Sequence, residues 1–271
     1  MRKIFNRAIL FLAAGLMLGA CDKNEIPEVA LPVGEGAQVK FFFQAEDAPR
    51  ANFYLDNNKV TGVAAATSGQ VLGNAYASVY PSNAYALLPA GSFNLSVIDT
   101  MTTGKGKADV LFSTPVTLEN GKNYSAYLVG TKPNFETFLI EDKLPPADHT
   151  KIWWRFVNTM AKIPFAVDAY AVRAAIPATG NRPAEPMEIV ELGKNIGFKQ
   201  HSQYVQLKTG VYTFKVFPSG TTYDPATTKP YIENSVTLAS LGRVYSTQIR
   251  GTYVEAPGVP KAAQIDYWRE R

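Results

Sequence analysis

Few residues in this chain could carry chemistry by themselves. There is one cysteine, Cys21, and there are two histidines, His149 and His201. His149 follows Asp148, and His201 precedes Ser202 in a segment rich in Lys and Gln. A hydrolytic triad is defined by geometry, and neighbours in sequence do not make one. Surface polar residues are the plainer reading of both histidines. A zinc centre takes three or four Cys, His or acidic ligands, and this supply is too thin for one. No EF-hand loop, P-loop or dinucleotide fingerprint occurs. Glu46, Asp47 and Asp56 fall at expected turns, where capping of backbone N–H groups accounts for them. The residues therefore predict no catalytic group, no metal site and no cofactor.

The elements that would position any site are strands. Phe93, Leu95 and Val97 alternate with Asn94 and Ser96, and Tyr212, Phe214 and Val216 repeat that phase later in the chain. A period of two marks a strand with one buried face. Turn signals separate such runs: Asp56-Asn57-Asn58, Pro89-Ala90-Gly91, Asn120-Gly121 and Ser219-Gly220. The chain also repeats itself. AQVKFFFQ, ANFYLDN, YALLPAGSFNLSV and VTLENGKNYSAYLVGT in the first half are matched in order by KIWWRFV, AVDAYAV, YVQLKTGVYTFKV and VTLASLGRVYSTQIRGT in the second. Repetition at this length means two tandem domains of one fold. The expectation is an all-β chain of two antiparallel, immunoglobulin-like β-sandwiches, residues 37–143 and 150–256. A linker from about Asp142 to Thr150 joins them, and a tail, 257–271, follows.

The strand phases sort the aromatics. Ile152, Trp154 and Phe156 share one face of a strand, with Trp153 and Arg155 on the other. Val39, Phe41 and Phe43 face in, with Lys40 and Phe42 opposite. Tyr54 with Asn52, and Tyr170 with Asp168, take the outer phase of the next strand in each copy. Tyr127 lies in a polar phase opposite Gln248 of the second copy, and Trp268 lies in the tail. Flat aromatic faces beside amides and acids can stack sugar rings or anchor a protein. Trp153, Phe42, Tyr54, Tyr170, Tyr127 and Trp268 are thus the candidate ligand-binding residues. Packing between the two domains, or under a covering loop, is the favoured alternative, because large exposed apolar patches are unusual.

The N-terminus reads MRKIFNRAILFLAAGLMLGAC. A short basic region precedes an uncharged stretch from Ala8 to Leu18, too short for a bilayer span of about 20 residues and suited to a secretory signal. Leu18-Gly19-Ala20-Cys21 resembles the lipobox of bacterial lipoproteins. That resemblance implies a diacylglycerol on Cys21, cleavage before it, and a signal peptide of residues 1–20. Two or more acyl chains, at about 0.8 kcal/mol per buried CH₂, make such an anchor lasting. Residues 21–36, with Pro27, Pro32, Gly34 and Gly36, read as a tether. Acidic residues after the cysteine resemble a surface-export signal in some Gram-negative groups, whereas Asp22 directly after it resembles an inner-membrane retention signal in others. The outer membrane is the expected location.

Cleavage would remove Arg2, Lys3 and Arg7, so the 27 basic residues fall to 24 against 23 acidic ones. A pI of 8.9 therefore overstates the basicity of the mature chain, and no electrostatic case for nucleic acid remains. With the only thiol lipidated, the domains rest on core packing, for which 46% apolar and 12% aromatic content suffices.

QAEDAPRANFYLDN, LPAGSFNLSV and VTLENGKNYSAYLVG together resemble the bacterial family called domain of unknown function 4397. Asp47-Ala48-Pro49, Leu88 to Gly91, and Gly130 carry the match over about Ala37 to Thr131. The second copy has Lys208-Thr209-Gly210 in place of the Pro-Ala-Gly turn and no Asp-Ala-Pro, and Gln44 stands where the family often has His. The resemblance implies an extracytoplasmic β-sandwich without assigned function or catalytic residues. The leading expectation is a non-catalytic, lipid-anchored envelope protein that binds a ligand or serves structure. Its alternatives are a surface glycan-binding lipoprotein feeding an outer-membrane transport system, an adhesin or assembly subunit, and an envelope hydrolase that would need a pocket around His149 or His201. The expected partners are a membrane and a glycan or protein.

Overall fold

A computed structural model of the chain describes residues 35–63, 72–100, 109–255 and 264–271. Cys21, the signal segment and nearly all of the tether lie outside these residues. The described chain forms seventeen strands and no helix. The first nine are β1 (Ala37–Phe43), β2 (Ala51–Leu55), β3 (Asn58–Lys59), β4 (Val79–Tyr80), β5 (Ala86–Leu88), β6 (Gly91–Asp99), β7 (Val110–Leu118), β8 (Asn123–Thr131) and β9 (Asn134–Glu141). The rest are β10 (Ile152–Asn158), β11 (Val167–Arg173), β12 (Glu188–Ile196), β13 (Val205–Leu207), β14 (Gly210–Pro218), β15 (Ile232–Leu238), β16 (Arg243–Arg250) and β17 (Gln264–Arg269).

Four sheets result. In the first copy, β4-β1-β8-β9, with β5 also on β1, faces β3-β2-β6-β7. In the second, β13-β10-β16-β17 faces β12-β11-β14-β15. The first-listed sheet of each copy is called inner and the other outer. The period-two residues meet between the sheets: Val39, Phe41, Phe53, Leu95 and Val97 in one core, and Ile152, Trp154, Phe156, Phe214 and Val216 in the other. Trp154 stacks on Phe214 and Tyr245 at centroid distances of 4.8 and 4.6 Å. Its indole N–H donates to Thr247 Oγ1 at 2.8 Å, which removes the cost of burying it.

Two features correct the sequence reading. The sandwiches are not wholly antiparallel, because β1 runs parallel to β8 and β10 parallel to β16. Parallel neighbours cannot be joined by a hairpin, and in each copy the chain visits the outer sheet before returning. The tail is also no appendage. β17 pairs with β16 along its whole length and closes the second inner sheet, as β9 closes the first. Glycine holds the same places in both copies: Gly91 (φ +147°) and Gly210 (φ +149°) begin β6 and β14, in a conformation that side chains rarely permit. The second copy could thus change Pro-Ala to Lys-Thr yet keep the glycine.

The outer-phase residues of the two inner sheets meet each other. Phe42, Tyr127, Val129, Ile140 and Val157 form a buried cluster, flanked by Phe138, Phe198 and Trp268. Phe42 lies on Tyr127 at 4.4 Å and 13°, and Tyr127 on Phe138 at 4.8 Å and 11°. This row of rings crosses β1, β8 and β9 and seals against the second sandwich. Replacing a fully buried phenylalanine by alanine costs about 3–5 kcal/mol. We expect Phe42→Ala to lower the unfolding free energy by about that much, and Tyr54→Ala, on the partly exposed outer sheet, by clearly less. Equal losses in urea unfolding would show that Phe42 does not join the sandwiches.

Candidate functional site

Beside the ring cluster lies a layer of buried charge. Arg155 Nη2 donates to Asp142 Oδ1 and to Glu270 Oε1, each at 2.5 Å, and Arg155 Nε donates to Ser246 Oγ at 2.6 Å. Ser125 and Tyr85 hydroxyls donate to Asp142 at 2.7 and 3.0 Å. The Ser246 and Tyr204 hydroxyls donate to Glu270. Lys40 Nζ donates to the carbonyl of Arg269. Lys40, Ser125, Asp142, Arg155, Ser246 and Glu270 are all 2% exposed or less. Two cations thus face two carboxylates with almost no water, a balance without which none of the four could stay charged.

The local field follows from that balance. Burial works to lower the Arg155 pKa, but Asp142 and Glu270 more than offset it and keep the guanidinium charged. Burial pushes the Asp142 carboxyl upward against the pull of Arg155. Burial lowers Lys40 to about 8, although Glu270 and Asp142 favour its charge. The unfolded lysine holds its proton up to about 10.5. The penalty for folding a charged Lys40 is therefore complete below about pH 8 and relieved as pH rises from there toward 10.5. We expect wild-type stability to rise over that interval relative to Lys40→Met, whose own profile lacks this contribution. Parallel profiles from urea titrations across the interval would contradict the assignment.

The remaining candidates separate. Phe42 and Tyr127 are fully buried, so these two of the aromatic set are corrected, while Trp268 packs beside them and stays partly exposed. A ligand could not reach Phe42 or Tyr127, and domain packing accounts for both. Trp153 is partly exposed, with its indole nitrogen buried and unpartnered among the described residues. Tyr54 is partly exposed on the first outer sheet. His149 is exposed. His201 is half-buried, its Nδ1 2.9 Å from the Ser202 carbonyl oxygen, and burial lowers its pKa. Ser202 Oγ donates to the Gln203 carbonyl and accepts from Phe156 N, so both of its bonds go to backbone. Asp47 and Asp56 accept backbone N–H groups of Lys132 and Asn94. Glu46 reaches farther and accepts from Thr252 N in the second copy. No group of His, Cys, Asp and Glu suited to a metal occurs among the described residues.

Tyr170 leads to an open cleft of about 660 Å³ on the second outer sheet. Asp168, two residues earlier in β11, is buried and holds the cleft open. Its Oδ1 accepts from Asn195 N at 2.8 Å and its Oδ2 from Gly220 N at 3.2 Å. One carboxylate thereby ties the end of β12 to the loop after β14. The Asn195 backbone has φ +52°, a conformation that asparagine tolerates. Tyr223, on the second loop, lies 5.0 Å from Tyr170 and 4.8 Å from Phe217. Burial raises the Tyr170 pKa against Lys194, and Lys194 pairs with Glu191 at 3.4 Å. Ser219, Thr221 and Thr222 complete the rim. Asn52 does the same work in the first copy, its Oδ1 accepting from Thr61 Oγ1 at 3.2 Å and Asn74 Nδ2 at 2.9 Å. Sequence reasoning found Asp168 and Tyr170 but missed Tyr223, Asn195 and Lys194. The Ser219-Gly220 turn was the only signal for Tyr223, which a loop brings to β11, whereas Lys194 and Asn195 lie in β12, whose pairing with β11 is irregular there.

The fold and cleft define a tandem β-sandwich protein whose copies meet through their inner sheets. Residues 37–170 match the family described as Domain of unknown function (DUF4397). The match covers the first sandwich and continues through β10 to Tyr170 in β11. No curated protein matches the chain. Among solved structures, the chain is similar to a family-26 carbohydrate-binding module from Eubacterium rectale in complex with maltoheptaose, at 11% identity and a TM-score of 0.23, covering 85% of this chain and 95% of that one. It is also similar to a "putative cell adhesion protein" from Bacteroides ovatus, at 10% identity and a TM-score of 0.25, covering 87% and 98%. Likeness at these scores says nothing about what this chain binds.

Proposed function

We propose that this protein is a non-catalytic binding module of the cell envelope, held to the outer membrane by lipid on Cys21, and that the cleft over Tyr170 and Tyr223 receives its ligand. One observation carries the reading: Asp168 ties the end of β12 to the loop after β14 around a ligand-sized cleft on the outer sheet of the second copy. Pockets of a few hundred Å³ with a few converging polar groups are the usual form of small-molecule sites. The same lining favours a glycan. Tyr170 and Tyr223 contribute ring edges to the lining, while Ser219, Thr221, Thr222 and the Lys194–Glu191 pair offer donors and acceptors around it.

Two arms test this. The full chain with Cys21→Ala should leave the detergent phase for the aqueous phase on detergent partition, whereas persistence in the detergent phase would exclude the lipid anchor. On a glycan array, the wild type should bind at least one glycan class, and Tyr223→Ala with Lys194→Ala should weaken that binding about tenfold or more, equivalent to about 1.4 kcal/mol. Binding that is absent, or unchanged in the double variant, would exclude the cleft as a glycan site.

A further inference from the structure

We propose that the face joining the two sandwiches is self-complementary, so that the partner it fits is a second copy of this chain. Each copy brings the same four groups to the face. The first supplies Tyr85, Lys40, Ser125 and Asp142, and the second Tyr204, Arg155, Ser246 and Glu270. Tyr85 and Tyr204 directly precede β5 and β13, Lys40 and Arg155 sit on the parallel strands β1 and β10, and Ser125 and Ser246 are their register partners on β8 and β16. Asp142 and Glu270 directly follow β9 and β17.

The internal geometry is duplicated as well. Lys40 lies 5.2 Å from the Tyr85 ring centroid, and Arg155 lies 5.1 Å from that of Tyr204. Asp142 N donates to Asn123 O and Glu270 N to Val244 O, both at 2.7 Å. The contacts across the face are reciprocal. Arg155 of the second copy reaches Asp142 of the first, and Lys40 of the first reaches the Arg269 carbonyl next to Glu270 of the second. Contacts in which each side offers the other the same patch characterise a two-fold interface. Here that interface has been made within one chain.

Charge closes the argument. At the centre of the face each copy carries one cation and one carboxylate, so there first-with-first and second-with-second pairings would be as balanced as the pairing observed, while at its edge the Lys199–Glu136 pair favours the mixed one. The four central charges, Lys40, Asp142, Arg155 and Glu270, do not discriminate against a like copy, and charge is the usual means of excluding one. Two chains side by side could therefore pair by exchanging sandwiches.

The test uses the full chain with a protease recognition sequence placed at Pro146 and Ala147, both exposed in the linker. After cleavage the halves are held only by this face. Native mass spectrometry of the cut protein, diluted and then reconcentrated, should show pairs of two first halves and pairs of two second halves beside the original mixed pair. Adding Arg155→Leu should remove the pairs of second halves and leave the pairs of first halves, which use Lys40 and Asp142. If mixed pairs or single halves are the sole species, or if Arg155→Leu removes both like pairs equally, the face is not self-complementary.

Discussion

Two buried cations must meet two buried carboxylates, and most of this architecture depends on that requirement. Arg155, Lys40, Asp142 and Glu270 come from both sandwiches, and separating the sandwiches would leave Arg155 without Asp142. Removing one member of such a set is strongly unfavourable, whereas apolar replacements of the whole set can be neutral or better. The charged layer is therefore poor evidence for added stability and good evidence for a defined register of one sheet on the other. The ring cluster of Phe42, Tyr127 and Phe138 supplies the apolar burial that holds the halves together. The charges fix where the halves sit on one another.

That fixed pairing decides which surfaces remain for ligands. The outer phases of β1, β8, β10 and β16 are consumed by the contact, including two aromatics that a strand pattern alone would leave on open surface. The outer sheets remain. In both copies a short polar side chain near the start of the second strand, Asn52 or Asp168, is buried and draws neighbouring segments around it. The carboxylate at 168 takes two backbone N–H groups, where the amide at 52 takes two side chains. The second copy thereby holds the end of β12 and the loop after β14 by their backbones and leaves loop side chains such as Tyr223 and Thr221 to line the cleft.

Much of the fold was readable in the residues, because a period of two places Phe41, Trp154 and Phe214 in their cores without further information. The repeat likewise located Tyr85 against Tyr204 and Ser125 against Ser246, half of the duplicated face. Its meaning was hidden for two reasons. Alternation shows that Lys40 and Arg155 leave the core but not that a second sheet covers them. Glu270 lies in what resembled a tail, since strand pairing between β16 and β17 depends on register rather than composition. The cleft was partly readable, through Asp168 and Tyr170 on a strand. Tyr223 was not, because loop closure in space leaves no periodic trace, and Asn195 was not, because the register of β12 on β11 shifts beside it.

The central claim is that the charged layer and the ring cluster join two sandwiches into one cooperative body. Differential scanning calorimetry of the full chain measures this most directly. One transition is predicted, with calorimetric and van't Hoff enthalpies in a ratio of about 1. Two resolved transitions in the wild type, each with the enthalpy of a single sandwich, would contradict it.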